Sequence, residues 1–177
     1  MDMLDPIGVR YIELRATDHT YVGSLTRAEA TEMAARLRSR GYRVSSIGGG
    51  VGKTKIDADM DEHLDYFRNN LMVAQIFGAP YIRMFSFYPP EGGDITKHRD
   101  KIFAQWEKYL KLARGTGVTP LHENEGGLYG ASPERCLDLA ENLGVKLIFD
   151  AANFILSGAP VWPDAWRLLK KHVAYLH

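Results

Sequence analysis

Hydrophobic and polar positions alternate between two patterns along the whole chain. Short apolar runs predict buried strands at residues 9–15, 43–47, 81–85, 118–122, 145–149 and 173–176. Longer stretches between them carry apolar residues every three or four positions, which is typical of amphipathic helices. These helices are predicted near residues 26–40, 59–77, 95–114, 132 onward and 163–171. Strands that alternate with helices indicate a parallel sheet with helical crossovers.

Local signals mark several of the predicted helix ends. Thr26 and Glu29 have the spacing of a capping box, in which each side chain accepts a hydrogen bond from a backbone N–H group. Ser132 and Pro133 stand in the order that favours a helix start. Gly41 and Gly78 follow helical stretches and are expected to end them in the left-handed conformation.

The repeat length leaves two architectures open. Each strand–helix unit spans about 30 to 40 residues, the size of one βαβ repeat. A TIM barrel needs eight such units and about 250 residues, whereas this chain of 177 residues supplies six predicted strands. An open doubly wound sheet fits the length better, so a barrel needs support from individual residues.

Composition excludes some functional classes. The 22 basic and 22 acidic residues give a net charge of zero, and a chain without basic excess is not expected to bind nucleic acid. The single cysteine, Cys136, favours a reducing cytoplasm. The acidic N-terminus does not resemble a signal peptide, and no apolar run reaches the roughly 18 residues of a membrane span. We expect a cytoplasmic protein, in one domain over residues 1–177, without a membrane partner.

Candidate functional residues lie where the predicted strands end, because ligands bind at the carboxyl ends of strands in α/β folds. Three consecutive strand ends offer Glu123 or Glu125, then Asp150, then His177. Carboxylate and imidazole ligands from neighbouring strands suit one divalent cation, Mn, Mg, Co or Zn. The alternative is that each carboxylate caps the next helix. The glycine-rich residues 48–53 are predicted to form a loop over the sheet; they miss the P-loop spacing by one position.

Four segments together resemble the xylose isomerase-like sugar isomerase/epimerase family. They are the sequences HENE at 122–125, FDAANF at 149–154, YLH at 175–177 and YIELR at 11–15. The resemblance implies an incomplete TIM (β/α)8 barrel, with strands two to seven of the family barrel and truncation at both ends. It also implies that Glu123, Asp150 and His177 hold one divalent metal. The eighth-strand Glu, a fourth ligand in the family, has no counterpart.

The resemblance further implies a metal-dependent isomerase or epimerase of a sugar or sugar phosphate. Glu123 would be both ligand and catalytic carboxylate, moving a proton next to the carbonyl through a metal-bound enediolate. Glu13, His122 and Asn153 are candidates for hydrogen bonds to substrate hydroxyls. Some relatives instead shift a hydride or eliminate water.

Two other interpretations stay open at this point. A non-catalytic barrel fragment with a weak or absent metal site is consistent with the missing fourth ligand. Exposed strand edges would then favour a homo-oligomer. An endonuclease of the abasic-site type shares the barrel, but that class needs several zinc ions and additional histidines on the early strands, where this chain has Glu13 and glycines.

Overall fold

The computed structural model describes residues 3–17 and 20–177 of the chain. Its main feature is a curled sheet of parallel strands, in which each strand pairs with the next one along the chain. These strands are β1 (Tyr11–Leu14), β4 (Arg43–Val51), β5 (Tyr81–Met84), β6 (Thr119–Glu123), β7 (Lys146–Phe149) and β8 (Val173–Leu176). Strands β2 (Ala16–Thr17) and β3 (Thr20–Tyr21) form a short antiparallel hairpin after β1. β1 and β8 are the edges of the large sheet.

Helices connect the strands of the sheet. They are α1 (Arg27–Ser39), α2 (Met60–Phe77), α3 (Arg99–Ala113), α4 (Pro133–Leu143), α5 (Ala151–Leu156) and α6 (Trp166–Leu169). A single 3-10 turn, Ile95–His98, precedes α3. No helix in the two described ranges has the length and apolar character needed to cross a membrane.

The helix ends that local sequence signals marked are confirmed. The Thr26 hydroxyl accepts a hydrogen bond from the Glu29 backbone N–H group, and the Glu29 carboxylate accepts one from the Thr26 backbone at 2.8 Å. The Asp59 carboxylate accepts from two backbone N–H groups at the start of α2. Gly78 ends that helix with a φ of 69°, a conformation that costs a side-chain-bearing residue free energy.

The core lies between the sheet and the helices. Its largest side chains are aromatic: Phe67 of α2 and Trp106 and Tyr109 of α3 have essentially no exposed surface. The Phe67 and Tyr109 ring centroids are 4.9 Å apart. A second cluster below β7 contains Phe149 and Phe154, whose rings meet edge to face. Burial of each such side chain contributes about 1.5–3 kcal/mol to the free energy of folding. The two clusters therefore hold the helices against the sheet.

Several segments differ from the sequence-based prediction. The helix predicted at 163–171 is α-helical only over Trp166–Leu169, after a π-helical turn at Val161–Ala165, and the hairpin of β2 and β3 was not predicted. The loop expected at residues 48–53 is wrong for residues 48–51, because β4 continues through the glycines to Val51. A Cβ at Gly49 would lie 1.8 Å from Oδ1 of buried Asn70 on α2, so the strand can approach this helix only without a side chain there. Helix α5 was not predicted, since its six residues are too few for a periodic pattern.

The prediction of an incomplete (β/α) barrel is confirmed by this arrangement. Six parallel strands in sequential order, with helices packed on one face, form part of a barrel wall rather than a doubly wound open sheet. The carboxyl ends of all six strands therefore lie at the same edge of the sheet, where the candidate functional residues were predicted.

Candidate metal centre

Three side chains converge at the carboxyl ends of the adjacent strands β6, β7 and β8. Glu123 is the last residue of β6, while Asp150 and His177 directly follow β7 and β8. One ligand atom from each lies within 4.8 Å of the other two. Glu123 is buried, and His177 is the most exposed of the three. The strand order, with β7 between β6 and β8, brings these residues together from positions 54 residues apart in the chain.

Glu123 also belongs to a closed ring of charged groups, which we call the Glu–Arg–Glu–His ring. Its Oε1 atom lies 2.6 Å from Nδ1 of His177, and its Oε2 atom accepts a hydrogen bond from Arg83 at 2.6 Å. Glu13, at the end of β1, closes the ring. Its carboxylate lies 3.0 Å from Arg83 Nε and 3.0 Å from His177 Nε2. Arg83 Nε has no hydrogen-bond partner, so its contact with Glu13 is an ion pair only.

The ring sets the protonation of its members. Burial alone would raise the pKa of Glu123, but the hydrogen bond from His177 and the charge of Arg83 outweigh burial and hold this pKa below its ordinary value. Hydrogen bonds to Glu123 and then Glu13 raise the pKa of His177 to about 9. These contacts favour the anionic form of Glu123 and the cationic form of His177, so His177 must release its proton before it can ligate a metal.

Asp150 is held by a second network, centred on the buried side chain of Asn124. The Asn124 amide donates to the Asp150 carbonyl at 2.9 Å and accepts from the Asp150 backbone N–H group at 2.9 Å. The Asp150 carboxylate accepts from the Asn153 backbone N–H group at 2.8 Å, which makes Asp150 the N-cap of α5. The capping role considered from the sequence is therefore present alongside the place of Asp150 in the three-residue group.

The chemistry of this donor set fits a divalent cation. Two carboxylates and one imidazole give a mixed oxygen and nitrogen set, which Mn, Mg, Co and Zn accept. One carboxylate oxygen of Asp150 accepts the hydrogen bond that caps α5. Its other oxygen remains available to bind a metal ion. Within residues 3–17 and 20–177, the group comprises these three side chains.

The remaining predicted site residues fall in different places. Glu13 lies in the ring beside Glu123. Asn153 lies beside Asp150, and its amide group donates to the Asn124 carbonyl at 3.0 Å. Glu125, the alternative to Glu123 in the sequence, turns away and forms an ion pair of 2.6 Å with Lys53.

His122 is not brought to the site. It is completely buried, its Nε2 atom lies 3.0 Å from the Ser86 hydroxyl, and its ring packs edge to face against Trp106 of α3. Since side chains alternate along a strand, His122 points to the helices while Glu123 points to the opposite face. Burial lowers the pKa of His122 to about 3. Gly130 packs so closely that a Cβ there would lie 2.2 Å from the His122 ring.

Two residues of the site were missed from the sequence. Arg83 lies within a predicted apolar strand, and a charged residue between Ile82 and Met84 indicates that one face of this strand is polar. In the sequence, Asn124 stands out only as a member of the HENE segment at 122–125. Its role depends on contacts with residues 26 positions away, which the local pattern does not carry.

Comparison with known proteins assigns the family. The sequence profile of the xylose isomerase-like TIM barrel matches residues 2–177. No curated protein sequence matches the chain. A xylose isomerase-like TIM barrel protein from Mycobacterium smegmatis in complex with magnesium has a similar structure, with 17% identity and a TM-score of 0.79, covering 99% of this chain and 63% of that protein.

Two further solved structures are similar. A D-tagatose 3-epimerase-like protein has 12% identity and a TM-score of 0.79, with 100% of this chain and 70% of that one covered. D-psicose 3-epimerase with D-tagatose from Clostridium cellulolyticum H10 has 13% identity and a TM-score of 0.74, with 99% and 65% covered. The chain spans 54% to 71% of the length of such structures. Together with the profile match, the fold establishes that the chain belongs to the xylose isomerase-like TIM barrel family.

Proposed function

We propose that this chain carries the metal centre of an isomerase or epimerase that acts on a ketose or ketose phosphate. One observation carries the proposal: the ligand atoms of Glu123, Asp150 and His177 lie within 4.8 Å of one another at the carboxyl ends of adjacent strands. Catalytic groups of TIM-barrel enzymes occupy this edge of the sheet. Structures of similar fold include L-ribulose 3-epimerase and D-psicose 3-epimerase with D-tagatose, which supports a ketose as substrate.

Each side chain has a distinct task in the proposed reaction. Glu123, Asp150 and His177 would hold a divalent cation, which would supply Lewis acidity to the carbonyl and hydroxyl oxygens of the substrate. Against the effect of burial, the charge and hydrogen bond of Arg83 favour the ionised form of Glu123 and lower its pKa, so Glu123 would hold the cation and accept the proton from the carbon beside the carbonyl. Arg83 offers its guanidinium to the negative charge that develops on the substrate oxygens. Glu13 can accept a hydrogen bond from a substrate hydroxyl.

A second candidate is a non-catalytic chain that binds metal weakly. The small number of protein ligands among the described residues favours it. Three side chains form the group in the described part of the chain, and Arg83 already occupies one oxygen of Glu123. The two candidates differ in metal affinity, because a loosely held cation would not remain bound during turnover.

Calorimetric titration with Mn separates these candidates. The informative variant is Asp150→Asn, because asparagine caps a helix as well as aspartate does and so removes the charge without removing the α5 cap. The matched control is Asp100→Asn, whose side chain on α3 is fully exposed. Circular dichroism of each variant checks that the helices remain.

We expect one Mn per wild-type chain, unchanged binding in Asp100→Asn, and at least tenfold weaker binding in Asp150→Asn. Proton exchange from a ketose into deuterated water, measured by NMR, then tests catalysis. Binding that is weak in the wild type and equal in both variants contradicts the metal centre and favours the non-catalytic candidate.

A further inference from the structure

A cavity lies beside the Glu–Arg–Glu–His ring, and we call it the β4 pocket. It has a volume of about 320 Å³ and is lined by residues from the ends of β1, β4 and β5. Arg83 belongs to both features: its guanidinium contacts Glu13 and Glu123 and also lines the pocket. One water occupies about 30 Å³ of liquid, so the volume admits a group of several heavy atoms.

The charged side chains that line the β4 pocket are cationic, although Arg83 and Lys53 also form ion pairs with carboxylates beside it. Arg15, Lys53 and Arg83 line it, and no carboxylate is among the described residues that do so. The Lys53 ammonium forms one ion pair, with Glu125, and lies 4.3 Å from the Phe85 ring centroid. An ammonium has three N–H donors, so Lys53 retains the capacity for a further acceptor. Within the described ranges, Arg15 has no acidic partner.

The backbone of β4 opens this space. β4 pairs with β1 only as far as Ile47, and its register with β5 shifts between Ile47 and Val51. Residues 48–50 therefore form a bulge, and all three are glycine. At Gly50 the φ is 75° and a Cβ would meet nothing within 4 Å, so the missing side chain leaves open space. Glycine bulges of this kind allow a ligand to approach the backbone closely.

We propose that the β4 pocket binds an anionic group, a phosphate or a carboxylate, that the substrate carries away from its reacting carbons. The Arg15 guanidinium, which has no acidic partner in the described ranges, and the remaining N–H donors of Lys53 can recognise such a group by charge-assisted hydrogen bonds. This inference rests on the proposed function and specifies its substrate class, because it requires an anionic ketose, a phosphate ester or a sugar acid, and excludes neutral ketoses.

The first test uses inorganic phosphate in EDTA, so that it does not depend on metal. Isothermal titration compares the wild-type chain with Arg15→Gln and Lys53→Gln, and with Arg114→Gln and Lys101→Gln as exposed matched controls on α3 and at its end. We expect each pocket variant to bind phosphate about tenfold more weakly, since one charge-assisted hydrogen bond is lost. Both controls should equal the wild type. Equal binding in all five proteins, or none in the wild type, overturns the proposal.

The second test identifies the anion. With Mn present, the affinities of D-fructose, D-fructose 6-phosphate and D-fructuronate are compared in the wild type and in Arg15→Gln. A preference for the phosphate ester or for the uronate that disappears in Arg15→Gln supports the pocket and names its ligand. Equal affinity for all three sugars overturns it.

Failure of the proposed function is visible separately. Asp150→Asn should lose Mn while its affinity for inorganic phosphate stays unchanged, because Asp150 does not line the pocket. If the wild-type chain binds phosphate but not Mn, the anion site is supported and the metal centre is contradicted.

Discussion

Glu13 and His177 lie on opposite edges of the sheet, 164 residues apart in the chain, yet the Glu13 carboxylate is 3.0 Å from the His177 imidazole. β1 and β8 share no backbone pairing, since each is an edge strand. The contact therefore joins the two ends of the curled sheet across its open side. It also links a predicted substrate-binding residue to a predicted metal ligand.

Removal of this contact should lower stability. In Glu13→Gln the charge that pairs with Arg83 and His177 is lost, although the amide can keep one hydrogen bond. We expect the free energy of unfolding in EDTA to fall by about 1 kcal/mol, measured by urea denaturation. The matched control is Glu91→Gln, whose 95% exposed side chain lies 3.7 Å from Lys55 and should contribute almost nothing. Equal free energies of unfolding for the two variants would show that the contact of Glu13 with Arg83 and His177 does not stabilise the fold.

The Asn124 network should matter for metal affinity rather than for folding alone. Asn124→Ala removes both hydrogen bonds that fix the Asp150 backbone. Loss of groups that orient a ligand typically weakens metal binding by about 10- to 100-fold, and calorimetry with Mn measures the change. Asn142→Ala on α4, an exposed asparagine that bonds within its own helix, is the control. An unchanged Mn affinity in Asn124→Ala would contradict a positioning role.

The close approach of β4 to α2 predicts a steric penalty. Gly49→Ala places a Cβ 1.8 Å from Asn70 Oδ1, and this overpacking should lower the free energy of unfolding by about 2 kcal/mol. The double variant Gly49→Ala with Asn70→Ala should show a smaller penalty for the alanine at 49, because the obstructing side chain is gone. Thermal denaturation of the four proteins completes the cycle. Additive effects would contradict the contact.

Acid should weaken the link between α3 and α4. Arg99 donates two hydrogen bonds of 2.7 Å to Asp138 and, with Tyr129, lowers the pKa of Asp138 below its ordinary 3.8. A depressed folded-state pKa means that this contribution is present above the unfolded pKa and is lost as the pH falls through the folded one.

The Tm of Asp138→Asn should therefore lie about 2–4 °C below that of the wild type at pH 6. The difference should begin to shrink as the pH drops below about 4, where the Asp138 carboxylate of the unfolded chain becomes protonated, and should vanish below the lowered pKa of the folded chain. Asp100→Asn, with a fully exposed carboxylate, should follow the wild type at every pH. A gap that stays constant with pH would exclude the ion pair as its cause.

Much of the fold follows from local signals in the sequence. The capping box at Thr26, the cap at Ser132 and the apolar strand runs locate nearly every element, because they act over three or four residues. The extension of β4 could not be predicted, since glycine disfavours strands and only packing against Asn70 explains it. The six-residue α5 depends on the Asp150 cap more than on any pattern.

The site was less accessible to sequence reasoning. Glu123, Asp150 and His177 are brought together as expected, because strand order places their ends side by side. The role of Arg83 could not be predicted, because it depends on ion pairs with carboxylates of β1 and β6. Only the curled sheet brings these two carboxylates close to Arg83. His122 was grouped with its neighbour Glu123, although adjacent strand residues face opposite sides.

The packing of Gly130 against His122 has a consequence for how these two positions change in evolution. With the ring of His122 only 2.2 Å from where a Cβ would stand, a mutation at 130 is tolerated only after residue 122 has become smaller or has moved. Related sequences should therefore substitute the two positions together, or keep both.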